Sequence, residues 1–145
     1  SRVSGLFSGR GFNIESLCVA PTLDPNISRM TIVTRGDEAV LEQINKQLNK
    51  LVNVIKVHDF KGEKHIEREL AMIKVQVTAE NRAELLSVVE LFRAKVVDVS
   101  PRSYTIETTG TGEKINGIIE MLRPLGIKDI VRTGCVAVAR SPKVK

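Results

Sequence analysis

A chain of 145 residues has room for one or two small domains, and its ordinary apolar content allows a core. A net charge of +5 is spread over 22 Lys and Arg along the chain, with a small concentration only at Arg140, Lys143 and Lys145, and that scatter argues against a nucleic-acid stripe. The longest apolar run is too short to span a bilayer, and no stretch reads as a signal peptide.

In chain order, Val3, Leu6 and Phe7 fall at helical spacing, with Ser1 as a candidate cap and Gly9 and Gly11 as terminators. Residues 14–21 then read as a strand, and Thr22-Leu23-Asp24-Pro25-Asn26 as a turn. Residues 29–35 alternate as a second strand. Asp37 is a good N-cap for a helix whose stripe is Val40, Leu41, Ile44, Leu48 and Leu51. Residues 52–60 are expected to form a strand on the alternation of Val52, Val54 and Val57. A polar linker at 62–67 follows.

Beyond it, residues 70–77 read as a strand and 81–92 as a helix carrying Leu85, Val88, Val89 and Phe92. Residues 95–100 and 103–109 pair as a hairpin about Pro101-Arg102. A helix over 112–122 carries Ile115, Ile118, Ile119 and Leu122, closed by Pro124 and Gly126. The last strand covers 128–139, and a tail starts at Ser141.

The two halves resemble each other. Val19-Ala20-Pro21 and the Met30–Gly36 strand match Val99-Ser100-Pro101 and the Tyr104–Gly110 strand. From Gly36 and Gly110 onward the offset is 74 residues, which lays Leu41, Ile44 and Leu48 on Ile115, Ile118 and Leu122. Such a repeat predicts two copies of one supersecondary unit. The second copy reads βαββαβ; the first lacks its opening strand. That strand would be central, so the natural chain is expected to carry roughly fifteen to twenty residues before Ser1, from the usual length of a strand.

These residues resemble the small, regulatory subunit of acetohydroxyacid (acetolactate) synthase. The resemblance rests on Leu6-Phe7-Ser8-Gly9-Arg10-Gly11-Phe12-Asn13-Ile14-Glu15-Ser16-Leu17, Ser28-Arg29-Met30-Thr31-Ile32, Lys46–Val52 and Glu67-Arg68-Glu69-Leu70. The second half adds Val97–Pro101, Ser103–Glu107 and Arg132-Thr133-Gly134. It implies an α+β fold of two ferredoxin-like βαββαβ modules in tandem: an ACT domain over 1–61 and a C-terminal ACT-like domain over 68–140, with a tail over 141–145. It also implies a subunit without catalytic residues of its own. That subunit activates a thiamine-diphosphate-dependent catalytic large subunit and mediates feedback inhibition by valine or a related branched-chain amino acid. The setting is valine, leucine and isoleucine biosynthesis. A homodimer formed through the ACT domain is implied too, as is a cytoplasmic location, or a plastid or mitochondrial one in a eukaryote. No cofactor is expected on this subunit; valine is its allosteric effector.

The resemblance places the effector at Asn13, Ile14 and Ser1. A zwitterionic amino acid needs acceptors for its ammonium, donors for its carboxylate and an apolar pocket. An Asn amide both donates and accepts, and a helix start at Ser1 offers N–H groups to a carboxylate. Turn chemistry alone would also account for Gly9, Gly11 and Asn13. The first domain, with its helix over 37–50, is expected to meet the large subunit.

Other signals are weaker. Cys18 and Cys135 lie in apolar runs, form neither a disulfide framework nor a zinc pattern, and read as small hydrophobes of a reducing compartment. Gly110-Thr111-Gly112-Glu113-Lys114 lacks the span of a phosphate loop and reads as a helix cap. His58 and His65 lie near Asp59, Glu63 and Glu67, but linker chemistry explains them, and no metal is expected. Three classes stay open: a regulatory subunit or stand-alone ACT-type amino-acid sensor, an RRM-like RNA-binding module, and an enzyme of ferredoxin-like fold. The RRM reading needs stacking aromatics on its central strands, where residues 30–35 have none and 103–109 only Tyr104.

Overall fold

The computed structural model describes residues 13–142. The helix expected near the N-terminus, and Ser1 with it, lie outside the described residues. The chain divides into two compact units, one of residues up to Ile66 together with those from Ala137, the other Glu67–Val136. The architecture is α+β, with two sheets.

In the first unit, β1 (Asn13–Pro21) and β2 (Ser28–Arg35) form an antiparallel hairpin, pairing Asn13 with Arg35 and Pro21 with Ser28. An irregularity falls between Ile14 and Ser16. Helix α1 (Glu38–Asn49) starts where the Asp37 carboxylate accepts the Val40 N–H at 2.9 Å, as the cap residue predicts. Gly36 precedes it because a Cβ there would sit 2.7 Å from a Val40 methyl. α1 buries Ile44 and Leu48 against Ile14, Ile32, Val40, Leu41, Leu51 and Val57.

Residues 52–60 are not a strand, contrary to the alternation. Their apolar spacing is two and then three, so Val57 turns into the α1 core while Val52 and Ile55 stay exposed. A turn bond from Val54 N–H to the Leu51 carbonyl, 3.1 Å, takes up backbone that a ladder would need. The following turn contains Gly62 at φ 73°. It brings His58, Phe60 and His65 together, with the His58 and Phe60 ring centroids 4.6 Å apart.

The second unit holds βαββαβ in order: β3 (His65–Gln76), α2 (Arg82–Leu91), β4 (Lys95–Val99), β5 (Ser103–Gly110), α3 (Gly112–Gly126) and β6 (Ile127–Arg132). β3 starts at His65, so residues 65–67 of the expected linker are strand. The sheet order is β4-β5-β3-β6, with the first strand of the motif in the middle, and β7 (Val136–Ala139) also pairs with β3. β3 alternates strictly: Glu69, Ala71, Ile73 and Val75 are buried, while Met72, Lys74 and Gln76 are exposed. Its buried face meets Ile106 of β5, Leu85, Val88 and Val89 of α2, and Ile115, Ile118, Ile119 and Leu122 of α3 in one cluster.

Two expectations needed adjusting in this unit. α3 runs through Pro124 to Gly126. A proline this near the end removes one helical bond and leaves the last turn intact, and the helix stops at Gly126, whose φ of 102° suits glycine. The single final strand is instead two, β6 in this unit and β7, all of which but Val136 belongs to the first, split at residues 133–135. There Gly134 takes φ 84°, and the Thr133 hydroxyl accepts the Leu70 N–H at 3.1 Å.

Candidate effector site

The β1–β2 pairing decides what can meet at Asn13. Asn13 faces Arg35 across the ladder, and Ile14 faces Thr34. Consecutive strand residues point to opposite faces. Ile14 accordingly packs on the α1 core with Ile44 and Leu48, while the Asn13 side chain is exposed. The structure thus brings the backbone of these two residues together and separates their side chains. The Asn13 carbonyl accepts the Thr34 hydroxyl at 2.6 Å, which fixes the strand entry.

Two side chains that the sequence did not single out share the neighbourhood of Asn13. The Glu15 carboxylate and the Arg35 guanidinium form an ion pair at the surface. The open end of the hairpin, away from its turn, therefore carries an amide, a carboxylate and a guanidinium within three residue positions. These are the group types that a zwitterion requires, acceptors for an ammonium and donors for a carboxylate, with Glu15 and Arg35 here paired to each other. No sequence signal ties residue 15 to residue 35: Glu15 falls at the irregularity between Ile14 and Ser16, outside the paired register, and its ion pair reaches Arg35.

The remaining polar clusters have structural work. Arg132 grips Glu69 with two bonds, Nε to Oε1 at 2.5 Å and Nη2 to Oε2 at 3.1 Å, and donates to the Asn116 amide oxygen at 2.9 Å. Those bonds fasten β3, β6 and α3 together. Residues 110–114 are a capping turn, as expected: Thr111 Oγ1 accepts the Lys114 N–H at 3.2 Å and Lys114 Nζ donates to the Thr109 carbonyl at 2.9 Å. His58 Nε2 lies 2.7 Å from Glu63 Oε2. Among the described residues no group of three or more His, Cys, Asp or Glu is placed to hold a metal ion. A shallow recess of about 300 Å³ is lined by Glu63, Lys64, Arg140, Ser141 and Pro142 and includes neither Asn13 nor Ile14.

Burial, with Glu67 and Glu69 nearby, pushes the Cys135 thiol above its usual value, which suits an inert small hydrophobe. Asp59 is held below the usual carboxylate range by the Lys61 backbone N–H and the Asn45 amide. The Thr108 hydroxyl is buried with no hydrogen-bond partner. Among the described residues no helix is long and apolar enough to cross a membrane.

A βαββαβ unit and a second α+β unit are the two parts that a pair of ACT-type modules requires. Comparison with known proteins agrees. The family model described as the AHAS small subunit-like ACT domain matches residues 1–56, and that for the small subunit of acetolactate synthase matches residues 68–141. The acetolactate synthase small subunit of Mycolicibacterium smegmatis is 52% identical over 143 residues, 99% of this chain and 84% of the relative. That of Aquifex aeolicus is 50% identical over 146 residues, 100% of this chain and 76% of the relative. The crystal structure of the small subunit from Thermotoga maritima superposes with a TM-score of 0.88 at 42% identity, covering 98% of this chain and 89% of that one. The chain belongs to the acetolactate synthase small-subunit family, and its fold is a pair of ACT-like domains.

Proposed function

We propose that this chain is the regulatory subunit of an acetolactate synthase. It raises the turnover of a thiamine-diphosphate-dependent catalytic subunit and carries feedback inhibition by valine or a related branched-chain amino acid. The observation that carries the reading is identity of about half, over nearly the whole chain, to proteins named as acetolactate synthase small subunits. An ACT-domain match over residues 1–56 supports an amino-acid effector. The chain itself supplies no chemistry to the reaction; the cofactor and the reacting carbons belong to the catalytic subunit.

Within this reading, Asn13 orients the effector's polar end, with Glu15 and Arg35 complementing its ammonium and carboxylate. Ile14 acts from the other face of β1, by coupling that strand to α1, and Ser1, which lies outside the described residues, completes the proposed effector site. The ACT domain covers 1–61, the linker 62–67 and the second domain 68–140. The protein works in the cytoplasm as a homodimer joined through the first domain. The distribution of relatives across bacteria and an archaeon supports that location.

The test is conversion of pyruvate to acetolactate by the catalytic subunit of the same source, with and without this chain, across a valine titration. Activation together with valine inhibition is the expected result. Activation without inhibition by any branched-chain amino acid would overturn the effector reading, and no activation would overturn the regulatory reading altogether.

A further inference from the structure

The β1–β2 hairpin is buried at one end only. Ile14 and Ile32 lie on α1, whereas residues 19–29 are exposed throughout. That exposed end is apolar: Val19, Ala20, Pro21, Leu23, Pro25 and Ile27 fall within nine positions. Leu23 at the tip is fully exposed, at 106% of its reference area, with Val19 at 52%. Single exposed leucines are ordinary; a run of this kind is not.

The tip is also built to hold its shape. Thr22 Oγ1 donates to the Ile27 carbonyl at 2.8 Å and accepts the Asp24 N–H at 3.2 Å. Asp24 Oδ1 accepts the Asn26 N–H at 3.0 Å, and two backbone bonds, Thr22 to Ile27 and Ile27 to Asp24, close the loop. Thr22, Asp24 and Asn26 therefore make the turn's side-chain bonds. Leu23 contributes nothing to it and is held out to solvent. A rigid loop presenting an apolar side chain loses little conformational entropy on docking.

Charge narrows the occupant. Between positions 18 and 28 Asp24 is the one ionised side chain, and its carboxylate is engaged in the turn. The next cation, Arg29, is turned onto the Ala137 carbonyl at 2.8 Å. A tip without outward cations fits neither a phosphate backbone nor an anionic membrane surface. It fits an apolar recess on a protein that stays associated.

We infer that the distal end of the β1–β2 hairpin, with Leu23 as its anchor, is a docking element for the catalytic subunit; this rests on the regulatory reading above. Leu23 enters an apolar recess, Val19, Pro25 and Ile27 seal around it, and the effector face at Asn13 lies at the opposite end of the same strand pair. Binding at one end thus bears on docking at the other through β1 and β2.

The experiment uses the catalytic subunit of the same source and titrates it with the wild-type chain, Leu23→Asp and Leu23→Met, reading acetolactate formation and co-sedimentation. Leu23→Asp should raise the concentration for half-activation about tenfold or more, the effect of leaving a leucine unburied. Leu23→Met should activate nearly as the wild type. Circular dichroism of the Asp variant alone should match the wild type, since the Leu23 side chain is fully exposed. Unchanged half-activation by Leu23→Asp, with the wild-type chain activating, would overturn this inference alone. Altered self-association of the variant without any change in activation would overturn it in favour of a contact between copies of this chain. A wild-type chain that neither binds nor activates would overturn the regulatory reading, and this inference with it.

Discussion

Asn13 and Arg35 face one another at the open end of a hairpin, with Glu15 beside them. An amide in that position can hold one polar end of an amino acid without contributing to the core, because its side chain is exposed. Asn13→Ala should therefore weaken valine inhibition of the reconstituted enzyme by roughly fivefold to tenfold, about the effect of one to two hydrogen bonds. The melting temperature should hardly move. Inhibition at the wild-type valine concentration would refute the role given to Asn13. Of this candidate site, the sequence showed Asn13 as a polar residue at a strand entry, and Asn13 does begin β1. Glu15 and Arg35 were not legible, because Arg35 reaches this place by pairing with Asn13 and Glu15 by the irregularity at residues 14–16, and neither leaves a local mark in the sequence.

At the scale of elements, periodicity identified what packing then enforced. The α1 stripe buries Ile44 and Leu48 and half-buries Val40, Leu41 and Leu51, and the α3 stripe buries Ile115, Ile118, Ile119 and Leu122. It failed at residues 52–60, where β-branched residues suggested a strand. Val57 is drawn to the α1 core instead, and strand formation needs a neighbouring ladder that no local sequence can supply. What holds that segment is a set of side-chain tethers to α1. Asn45 Nδ2 donates to Asp59 Oδ2 at 2.9 Å, and Lys61 Nζ lies 3.2 Å from Glu38 Oε1. The Asp59 carboxyl sits below its ordinary value of 3.8 because the Lys61 N–H and the Asn45 amide favour the ionised form. A depressed folded value means that the tether is complete above the unfolded value and is lost as pH falls through the folded one. Acid titration followed by circular dichroism should show the wild type losing stability below about pH 4, in the carboxylate range. Asp59→Asn should respond less over that window. Parallel acid profiles for the two proteins would rule the tether out.

The whole molecule consists of two units with cores of unequal size among the described residues. The second gathers Ala71, Ile73, Val75, Leu85, Ile106, Ile115, Ile118 and Leu122 into one fully enclosed cluster, whereas the first buries Ile44 and Leu48 with partly exposed neighbours. The internal repeat revealed this division in outline, since equivalent stripe positions recur in both halves. The difference in depth it could not reveal, because equal sequence patterns bury unequally when the surrounding strands differ. Ile44→Asp would bury a charge without a partner, at a cost of several kcal/mol. Amide exchange should then accelerate across β1, β2 and α1 while β3, β5 and α3 keep their protection. Uniform loss of protection would show that the two units fold as one.

The Thr108 hydroxyl faces that larger core at 2% exposure without a hydrogen-bond partner. A valine has nearly the same shape and no oxygen to desolvate, so Thr108→Val should raise the stability of the second unit by about 1 kcal/mol. A drop in its melting temperature would mean that the oxygen is engaged in solution. The gain would come without touching the hairpin, the strand entry or the Glu69–Arg132 clasp. It leaves room for drift: a lineage carrying valine at this position could accept a mildly damaging change elsewhere and stay above the threshold for folding. A side chain with no part in regulation would thus govern how far the regulatory surfaces are free to evolve.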